Sequence, residues 1–237
     1  MTLTAAAAEI TAGTTASPPK ALATRHLYLA RHAEALPDES GLSERGRRQA
    51  RLLGERLGAT ALDAVYHGPL ARAAQTARLA ADGLRTERGE GDADGPSGPP
   101  VRSLDAAGDY VPYFPARDEL PAKSAAAFLP FLADASDEDR EQGPRLAREA
   151  LRRFSGPVAG ERERHELVIT HNFLIGWLVR AAMGARPWRW LGLNSPNAAL
   201  TVIRYAPGRP AALLLLNDMS HLPEELRWTG MPAGAKA

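Results

Sequence analysis

The stretch HLYLARHAEA, residues 26–35, decides the fold of this chain. Its first half, from His26 to Ala30, is a short apolar run of the kind found in strands that are buried on both faces. Two cationic side chains, Arg31 and His32, follow this run directly. In parallel sheets, ligands bind beyond the carboxyl ends of the strands. The stretch therefore predicts a central strand and the edge of the sheet at which a ligand would bind.

Outward from this stretch, short apolar runs alternate with amphipathic segments. Ser43 can cap a helix whose residues Ala50, Leu53 and Leu57 fall on one face. Further strands are predicted at residues 62–66, 101–104, 166–170, 198–205 and 211–216, and further helices at residues 69–81, 138–154 and 172–183. Strand–helix alternation of this kind favours an α/β fold. We expect a single three-layer α/β/α domain, with a mostly parallel central sheet and helices on both faces.

Three segments lack this pattern and set the limits of the domain. Residues 1–24 are rich in Ala and Thr, and predict a flexible N-terminal tail. Residues 85–100, RTERGEGDADGPSGPP, combine Gly, Pro and charge, and predict a flexible surface insertion because the pattern continues on both sides. Residues 231–237 predict a frayed C-terminus. The domain is therefore expected to span residues 25–230.

Composition excludes several classes of function. The 237 residues include 29 basic and 28 acidic side chains, a net charge of +1, which favours neither nucleic acid nor an anionic membrane as a partner. The chain has no cysteine, which excludes disulfides, thiol catalysis and cysteine-based zinc sites. It has no apolar run long enough to cross a membrane and no pattern of a secretory signal. We therefore expect a cytoplasmic protein.

Cationic side chains follow three of the predicted strands. Arg31 and His32 come after the first strand, His67 and Arg72 after the second, and His171 after the strand ELVIT at residues 166–170. Cations that crowd at one edge of a sheet repel one another unless an anion lies among them. Arginine matches the oxygens of a phosphoryl group two at a time, and helix starts expected after His32 and His171 would add N–H donors. The pattern therefore predicts a phosphoryl-binding site.

Four motifs in this order carry a resemblance to a known family. LYLARHAEA, GLSERGRRQARLLGERL, GPLARAAQTA and VITHNFLIGWLV together resemble the histidine phosphatase superfamily, which has the phosphoglycerate-mutase-like fold. The resemblance covers residues 26–221 apart from the insertion. The chain is most similar to the small branch that includes the SixA-type phosphohistidine phosphatases. Its late PWRWLGLN segment also resembles mitochondrial serine/threonine phosphatases of the superfamily.

The resemblance assigns roles to five residues. It implies that His32 is the nucleophile, that Arg31 and Arg72 bind phosphate, and that His171 is the second catalytic histidine. Asn172 follows that histidine and would donate to phosphate through its side chain or its backbone. No metal and no cofactor are implied.

Three positions depart from the usual pattern of the family, and one of them is Asn172, where Gly or Ala is usual. Ala33 replaces the usual Gly after the first histidine, a small change that should fit. Gly68 stands where a Ser commonly precedes the proline of the second motif, so a hydroxyl is lost there.

The proton donor is not settled by the sequence. The family generally takes it from an acidic residue after the third strand, and LDAAGDY offers Asp105 and Asp109. Asp109 is preferred because it fits the Leu-x-x-x-Gly-Asp pattern, but either residue could simply form a turn. Glu34 could line the mouth of the site, and His67 could lie near it or cap the next helix.

The resemblance implies a metal-independent phosphatase that hydrolyses phosphomonoesters or phosphohistidine through a phosphohistidine intermediate. The alternatives are a phosphomutase of the same superfamily and a catalytically silent domain that binds a phospholigand. The substrate, a phosphorylated small molecule or a phosphoprotein, cannot be deduced from the sequence, and neither can the oligomeric state.

Overall fold

A six-stranded sheet forms the centre of the computed structural model, which describes residues 21–87 and 98–231. The strands of this part of the chain are β1 (Leu22–Ala23), β2 (Arg25–Arg31), β3 (Ala64–His67), β4 (Val101–Ser103), β5 (Val158–Ala159), β6 (Arg164–Thr170), β7 (Leu200–Tyr205) and β8 (Ala212–Asp218). The helices are α1 (Glu44–Arg56), α2 (Ala71–Glu87), α3 (Ala122–Ala133), α4 (Asp137–Phe154) and α5 (Asn172–Ala182). The sheet order is β4-β3-β6-β2-β7-β8, while β1 and β5 form a separate antiparallel pair.

Strand direction places the candidate residues at one edge. Strands β4, β3, β6 and β2 run parallel, and β7 and β8 run antiparallel to them. Strands β2 and β6 pair along their whole length, from Arg25 opposite Arg164 to Arg31 opposite Thr170. The residues that follow these two strands, His32 and His171, therefore leave the sheet side by side.

Helices cover both faces of the sheet, which confirms the predicted three-layer fold. Successive residues of β2 point to opposite sides, so Leu29 and Ala30 belong to different apolar clusters. One cluster joins the sheet to α1 and α2, and the other joins it to α3, α4 and α5. Helices α1 and α2 approach so closely that a Cβ at Gly54 would lie 2.4 Å from the carbonyl oxygen of Ala80. A glycine is therefore required at this crossing.

Most predicted elements are present, and Ser43 caps α1 by accepting from the backbone N–H of Gly46 at 3.0 Å. The prediction missed α3, whose alanine-rich sequence with an internal Pro130 gave no clear helical stripe. It also missed β1 and β5. Along the part of the chain that the structure describes, no helix is long and apolar enough to span a membrane.

The predicted boundaries need correction at two places. The tail was expected to reach residue 24, but Leu22–Ala23 is strand β1, where Ala23 is buried against β5. Helix α2 continues beyond residue 81 to Glu87, into the predicted insertion, because Leu84 packs in the core. The remainder of the predicted tail (1–20), most of the insertion (88–97) and the C-terminus (232–237) lie outside the described residues.

Candidate active site

The segment that carries His32 is anchored by three other parts of the fold. The backbone N–H of His32 donates to the carbonyl oxygen of Thr170 at 2.8 Å, and its carbonyl oxygen accepts from Nδ2 of Asn197 at 2.8 Å. The backbone N–H of Ala33 donates to Oγ1 of Thr76, on α2, at 3.0 Å. Buried backbone groups need such partners. The position of His32 is thus fixed by β6, by α2 and by the loop before β7.

The ring of His32 is poised as a neutral nucleophile. Its Nδ1 lies 2.8 Å from the carbonyl oxygen of Ala33, and since a carbonyl only accepts, Nδ1 carries the proton. The other ring nitrogen, Nε2, then has a free lone pair. Burial, followed by the neighbouring His171, lowers the pKa of His32 to about 3. The imidazole is therefore uncharged at neutral pH.

His171 lies beside this ring. The two ring centroids are 5.0 Å apart, and the side chain of His171 is only 2% exposed. Its Nδ1 lies 3.3 Å from Oδ2 of Asp109. Its Nε2 is buried and has no hydrogen-bond partner among the described residues. A buried polar atom without a partner is costly, which points to a ligand at this position.

Arg31 is held at the end of β2 by backbone carbonyls. Its Nη1 donates to the carbonyl oxygens of Ser195, at 2.9 Å, and Gly230, at 2.8 Å. Its Nε is buried, and within the described ranges it too has no partner. The guanidinium is therefore fixed in direction while its buried Nε remains unused.

Arg72, at the start of α2, is held between two carboxylates. Its Nη1 donates to Glu39 and its Nη2 to Oδ2 of Asp109, both at 2.9 Å. Burial acts to raise the pKa of Asp109, but His171 and Arg72 outweigh it and lower that pKa to about 2. Asp109 is thus a carboxylate that contacts both Arg72 and His171.

Arg31, His32, Arg72 and His171 converge as predicted, with Asp109 among them. Arg31 adjoins His32, the His32 ring lies beside His171, and Oδ2 of Asp109 reaches both His171 and Arg72. Fixed N–H donors around an unprotonated imidazole nitrogen can bind a tetrahedral oxyanion such as a phosphoryl group.

Other predicted residues have different surroundings. Asp105 is exposed at the start of a short 3₁₀ turn, Asp105–Ala107. Glu34 accepts from the Ser43 hydroxyl at 2.8 Å and pairs with Arg45, so it supports the start of α1. His67 is buried, with Nδ1 2.7 Å from the carbonyl oxygen of Gly68. Asp105, Glu34 and His67 do not line the cavity beside His32; Arg72 does not line it either, but it contacts the lining residue Asp109.

The amide of Asn172 is used within the protein. It donates to Asn194 at 2.9 Å and accepts from the backbone N–H of Ser195 at 2.7 Å. Because the side chain of Asn172 is occupied, its backbone N–H at the start of α5 is the group left to donate to phosphate.

The prediction of a helix directly after His32 is wrong, because α1 begins only at Glu44.

The loss of a hydroxyl at Gly68 has a steric reason. A Cβ at this position would lie 2.5 Å from the carbonyl oxygen of Ala107. The turn that leads to Asp109 therefore packs directly on the backbone that precedes α2.

Sequence reasoning missed the phenylalanine side chains on the aromatic side of the site. A cavity of about 390 Å³ extends from Arg31, His32, Asp109 and His171 to aromatic side chains of α3, of α5 and of the 3₁₀ turn Pro187–Trp190. These side chains are Phe128, Phe131, Phe173 and Trp190. Phe128 and Phe131 are three residues apart, a spacing that places both on one face of a helix. Because α3 was not predicted, the sequence did not indicate which way these two side chains would face.

In the described residues, the one group suited by its side chains to a metal ion lies at the other end of the strands. His26, Glu163 and His165 have potential ligand atoms within 4.8 Å of one another. His26 and His165 are at the start of β2 and β6, whereas the cavity is at the ends of these strands. The absence of a metal from the reaction stays a prediction.

Comparison with known proteins agrees with this geometry. The family model of the histidine phosphatase superfamily (branch 1) matches residues 27–91 and 115–218. The mouse mitochondrial serine/threonine-protein phosphatase PGAM5 is 28% identical over 226 residues, which cover 87% of this chain and 67% of PGAM5.

Two solved structures show the same fold. The alpha-ribazole phosphatase of Shigella flexneri matches with a TM-score of 0.55 and 19% identity, over 81% of this chain and 96% of that one. The phosphoglycerate mutase of Plasmodium falciparum matches with a TM-score of 0.53 and 17% identity, over 86% and 96%. The closer likeness to the SixA-type branch stays a prediction.

Proposed function

Because this chain belongs to the histidine phosphatase superfamily and is a phosphatase, we propose that it hydrolyses phosphomonoesters through a phosphohistidine formed on His32. One observation carries the proposal. The His32 ring has its Nδ1 proton held by the Ala33 carbonyl oxygen, which leaves Nε2 unprotonated beside the donors of Arg31 and His171.

The first step forms a bond between Nε2 of His32 and phosphorus, and breaks the bond between phosphorus and the ester oxygen. The electron pair of that bond stays on the leaving alkoxide, which takes a proton from Asp109. Arg31, Arg72 and His171 stabilise the charge on the three non-bridging oxygens. Removal of one such donor typically lowers kcat by about 10²–10³-fold.

The second step returns the enzyme to its starting state. The Asp109 carboxylate accepts a proton from a water molecule while the water oxygen bonds to phosphorus. The bond between phosphorus and Nε2 breaks, and its electron pair returns to the imidazole. The products are inorganic phosphate and neutral His32.

Asp109 must gain a proton before the first step. In the ligand-free protein its carboxylate pairs with Arg72 and His171, and its pKa is about 2. A phosphoryl dianion would take over these donors and add negative charge nearby, and both effects raise the pKa of a carboxyl group. Binding of the ester is therefore coupled to protonation of the acid. Position favours Asp109 over Asp105, which does not line the cavity.

The partner is proposed to be a phosphorylated small molecule or a phosphoprotein. PGAM5, by its name, acts as a serine/threonine-protein phosphatase in mitochondria. For this chain a cytoplasmic location stays a prediction. Cell fractionation with an antibody against the chain tests the location.

Turnover of an aryl phosphate in the presence of EDTA tests the function. We expect steady release of phosphate from the wild type, and a loss of at least about 10³-fold in His32→Ala, because no other group supplies the nucleophile. His67→Asn is the matched control, since His67 has the same hydrogen bond to the following carbonyl but lies outside the cavity.

Two results would contradict the proposal. Phosphorylation of the protein without turnover would identify a mutase, and neither phosphorylation nor turnover would identify a binding domain.

A further inference from the structure

The cavity beside His32 has two chemically different ends. Its lining residues with basic side chains, Arg31, His32 and His171, all lie at the end assigned to the phosphoryl group. Its other end is formed largely by aromatic and aliphatic side chains, namely Phe128, Phe131, Phe173, Trp190 and Leu191. A volume of about 390 Å³ is within the range of sites that hold whole small molecules, so there is room for the rest of a substrate.

Three of the aromatic rings form a continuous row from three elements. Phe131 of α3 meets Phe173 of α5 edge-on, with 5.6 Å between ring centroids, and Phe173 meets Trp190 in the same way at 5.1 Å. Nε1 of Trp190 donates to the carbonyl oxygen of Tyr113 at 3.2 Å, which fixes the indole. Edge-to-face pairs are favourable arrangements, so the row is formed before any ligand binds.

Phe131 is exposed although it belongs to this row. It is 53% exposed, so its ring is open to contact by a bound ligand. Because the row continues from Phe131 into the cavity, a ligand group in the cavity would contact it directly.

The Asn172 side chain, which also lines the cavity, is already engaged within the protein. Asn172 and Asn194 bind each other, and Asn172 also binds the backbone of Ser195. Among the described lining residues, no cation lies at the aromatic end. A second phosphate or a carboxylate would be desolvated there without a counter-charge, and a sugar would lose hydrogen bonds to water.

We propose that the aromatic row, which we define as Phe131, Phe173 and Trp190, binds the alcohol part of the substrate, and that this alcohol is uncharged and aromatic. The proposal rests on the function proposed above and adds the substrate class. The aromatic ring of the ester packs against the row while its phosphoryl group lies on His32. The source of such an ester is a small arylalkyl or phenolic phosphate, or the phosphotyrosine of a peptide.

The test compares alkyl phosphates whose leaving alcohols are similar in reactivity. Differences in kcat/KM between them then report how well the site binds the alcohol part. The probes are 2-phenylethyl phosphate, ethyl phosphate and glycerol 1-phosphate. We expect kcat/KM to be at least about tenfold higher for 2-phenylethyl phosphate than for the other two.

Phe131→Ser should reduce the ratio of kcat/KM for 2-phenylethyl phosphate to that for ethyl phosphate by about tenfold, mainly through a higher KM. Phe131→Leu should retain part of this ratio. Leu214→Ser is the matched control, because Leu214 is a similarly exposed apolar residue on β8 outside the cavity, and its ratio should equal that of the wild type.

An acetylated and amidated phosphotyrosine tripeptide distinguishes the two sources. A kcat/KM for the tripeptide above that for phenyl phosphate assigns a peptide source, and the reverse assigns a small molecule. Equal kcat/KM for 2-phenylethyl and ethyl phosphate, a preference for glycerol 1-phosphate, or a ratio unchanged in Phe131→Ser would overturn the proposal. Failure to hydrolyse any of the esters would instead contradict the proposed function.

Discussion

At the scale of single residues, Asp109 has the most demanding position. Its carboxylate contacts Arg72 at 2.9 Å and His171 at 3.3 Å, and these partners keep it charged in the free protein. The same residue must donate a proton to the leaving group. The site can meet both demands only if the phosphoryl group displaces the carboxylate from its partners.

Asp109→Asn tests this role through the leaving group. For an alkyl phosphate we expect kcat to fall by about 10²–10⁴-fold, because the alkoxide needs a proton. For 4-nitrophenyl phosphate the loss should be much smaller, since nitrophenolate leaves without one. If Asp109 only positioned Arg72, kcat would fall equally for both esters. Measurement of kcat for both esters therefore distinguishes proton donation from positioning of Arg72.

Asp105→Asn is the control for this change. It removes the other candidate carboxylate, which is exposed on the 3₁₀ turn, and should leave kcat for both esters within about twofold of the wild type. Equal losses for the two esters in Asp109→Asn would show that Asp109 is not the acid.

At the scale of the elements, α2 is tied to the segment after β2. Thr76 is fully buried on α2, where its hydroxyl donates to the carbonyl oxygen of Arg72 at 2.7 Å and accepts from the N–H of Ala33. One side chain thus links the helix that carries Arg72 to the residue that follows His32. Thr76 is a positioning residue, because it touches no reacting atom.

Thr76→Val keeps the shape of the side chain but leaves the N–H of Ala33 buried without a partner. We expect the free energy of unfolding to fall by about 1–3 kcal/mol and kcat to fall with it. Thr76→Ser restores the hydroxyl and should recover most of kcat. Urea denaturation and steady-state kinetics at a temperature where all three proteins are folded provide the measurements. If kcat in Thr76→Val matched the wild type, the link would have no part in positioning His32.

At the scale of the whole molecule, burial of neutral His32 makes stability depend on pH. The pKa of His32 is about 3 in the folded protein and about 6.5 in an unfolded chain. Between these values the unfolded state binds one more proton at this position, so the free energy of unfolding rises with pH. This contribution is complete above the unfolded pKa and is lost as pH falls towards the folded one.

His32→Asn should remove this dependence. Between pH 7 and pH 5 we expect the wild type to lose about 2 kcal/mol more of its free energy of unfolding than the variant does. Urea denaturation of both proteins at the two pH values measures the difference, and the histidines that do not contact His32 cancel in the comparison. Parallel losses would mean that His32 is protonated in the folded protein.

The sequence predicts the sheet edge of this molecule better than its cavity. Arg31, His32 and His171 follow strongly apolar strands, and parallel pairing of β2 and β6 brings their ends together. The sequence cannot distinguish Asp105 from Asp109 in this way, because the 3₁₀ turn that begins at Asp105 decides which of the two carboxylates reaches Arg72 and His171.

The aromatic row was beyond prediction for a related reason. Helix α3 contains Pro130 and few buried residues, so periodicity did not reveal it. Phe131 and Phe173 meet only because α3 and α5 pack from distant parts of the chain. Contacts of this kind depend on tertiary structure and leave no local signal.

The central claim is that His32 carries the phosphoryl group. Rapid acid-free quenching during turnover of an aryl phosphate, followed by peptide mapping by mass spectrometry, tests this claim most directly. We predict one phosphoryl group, labile to acid and stable to base, on the peptide that contains residue 32 and on none of the other histidine peptides. Steady turnover with no phosphorylated His32, or with the label on His171, would contradict the account.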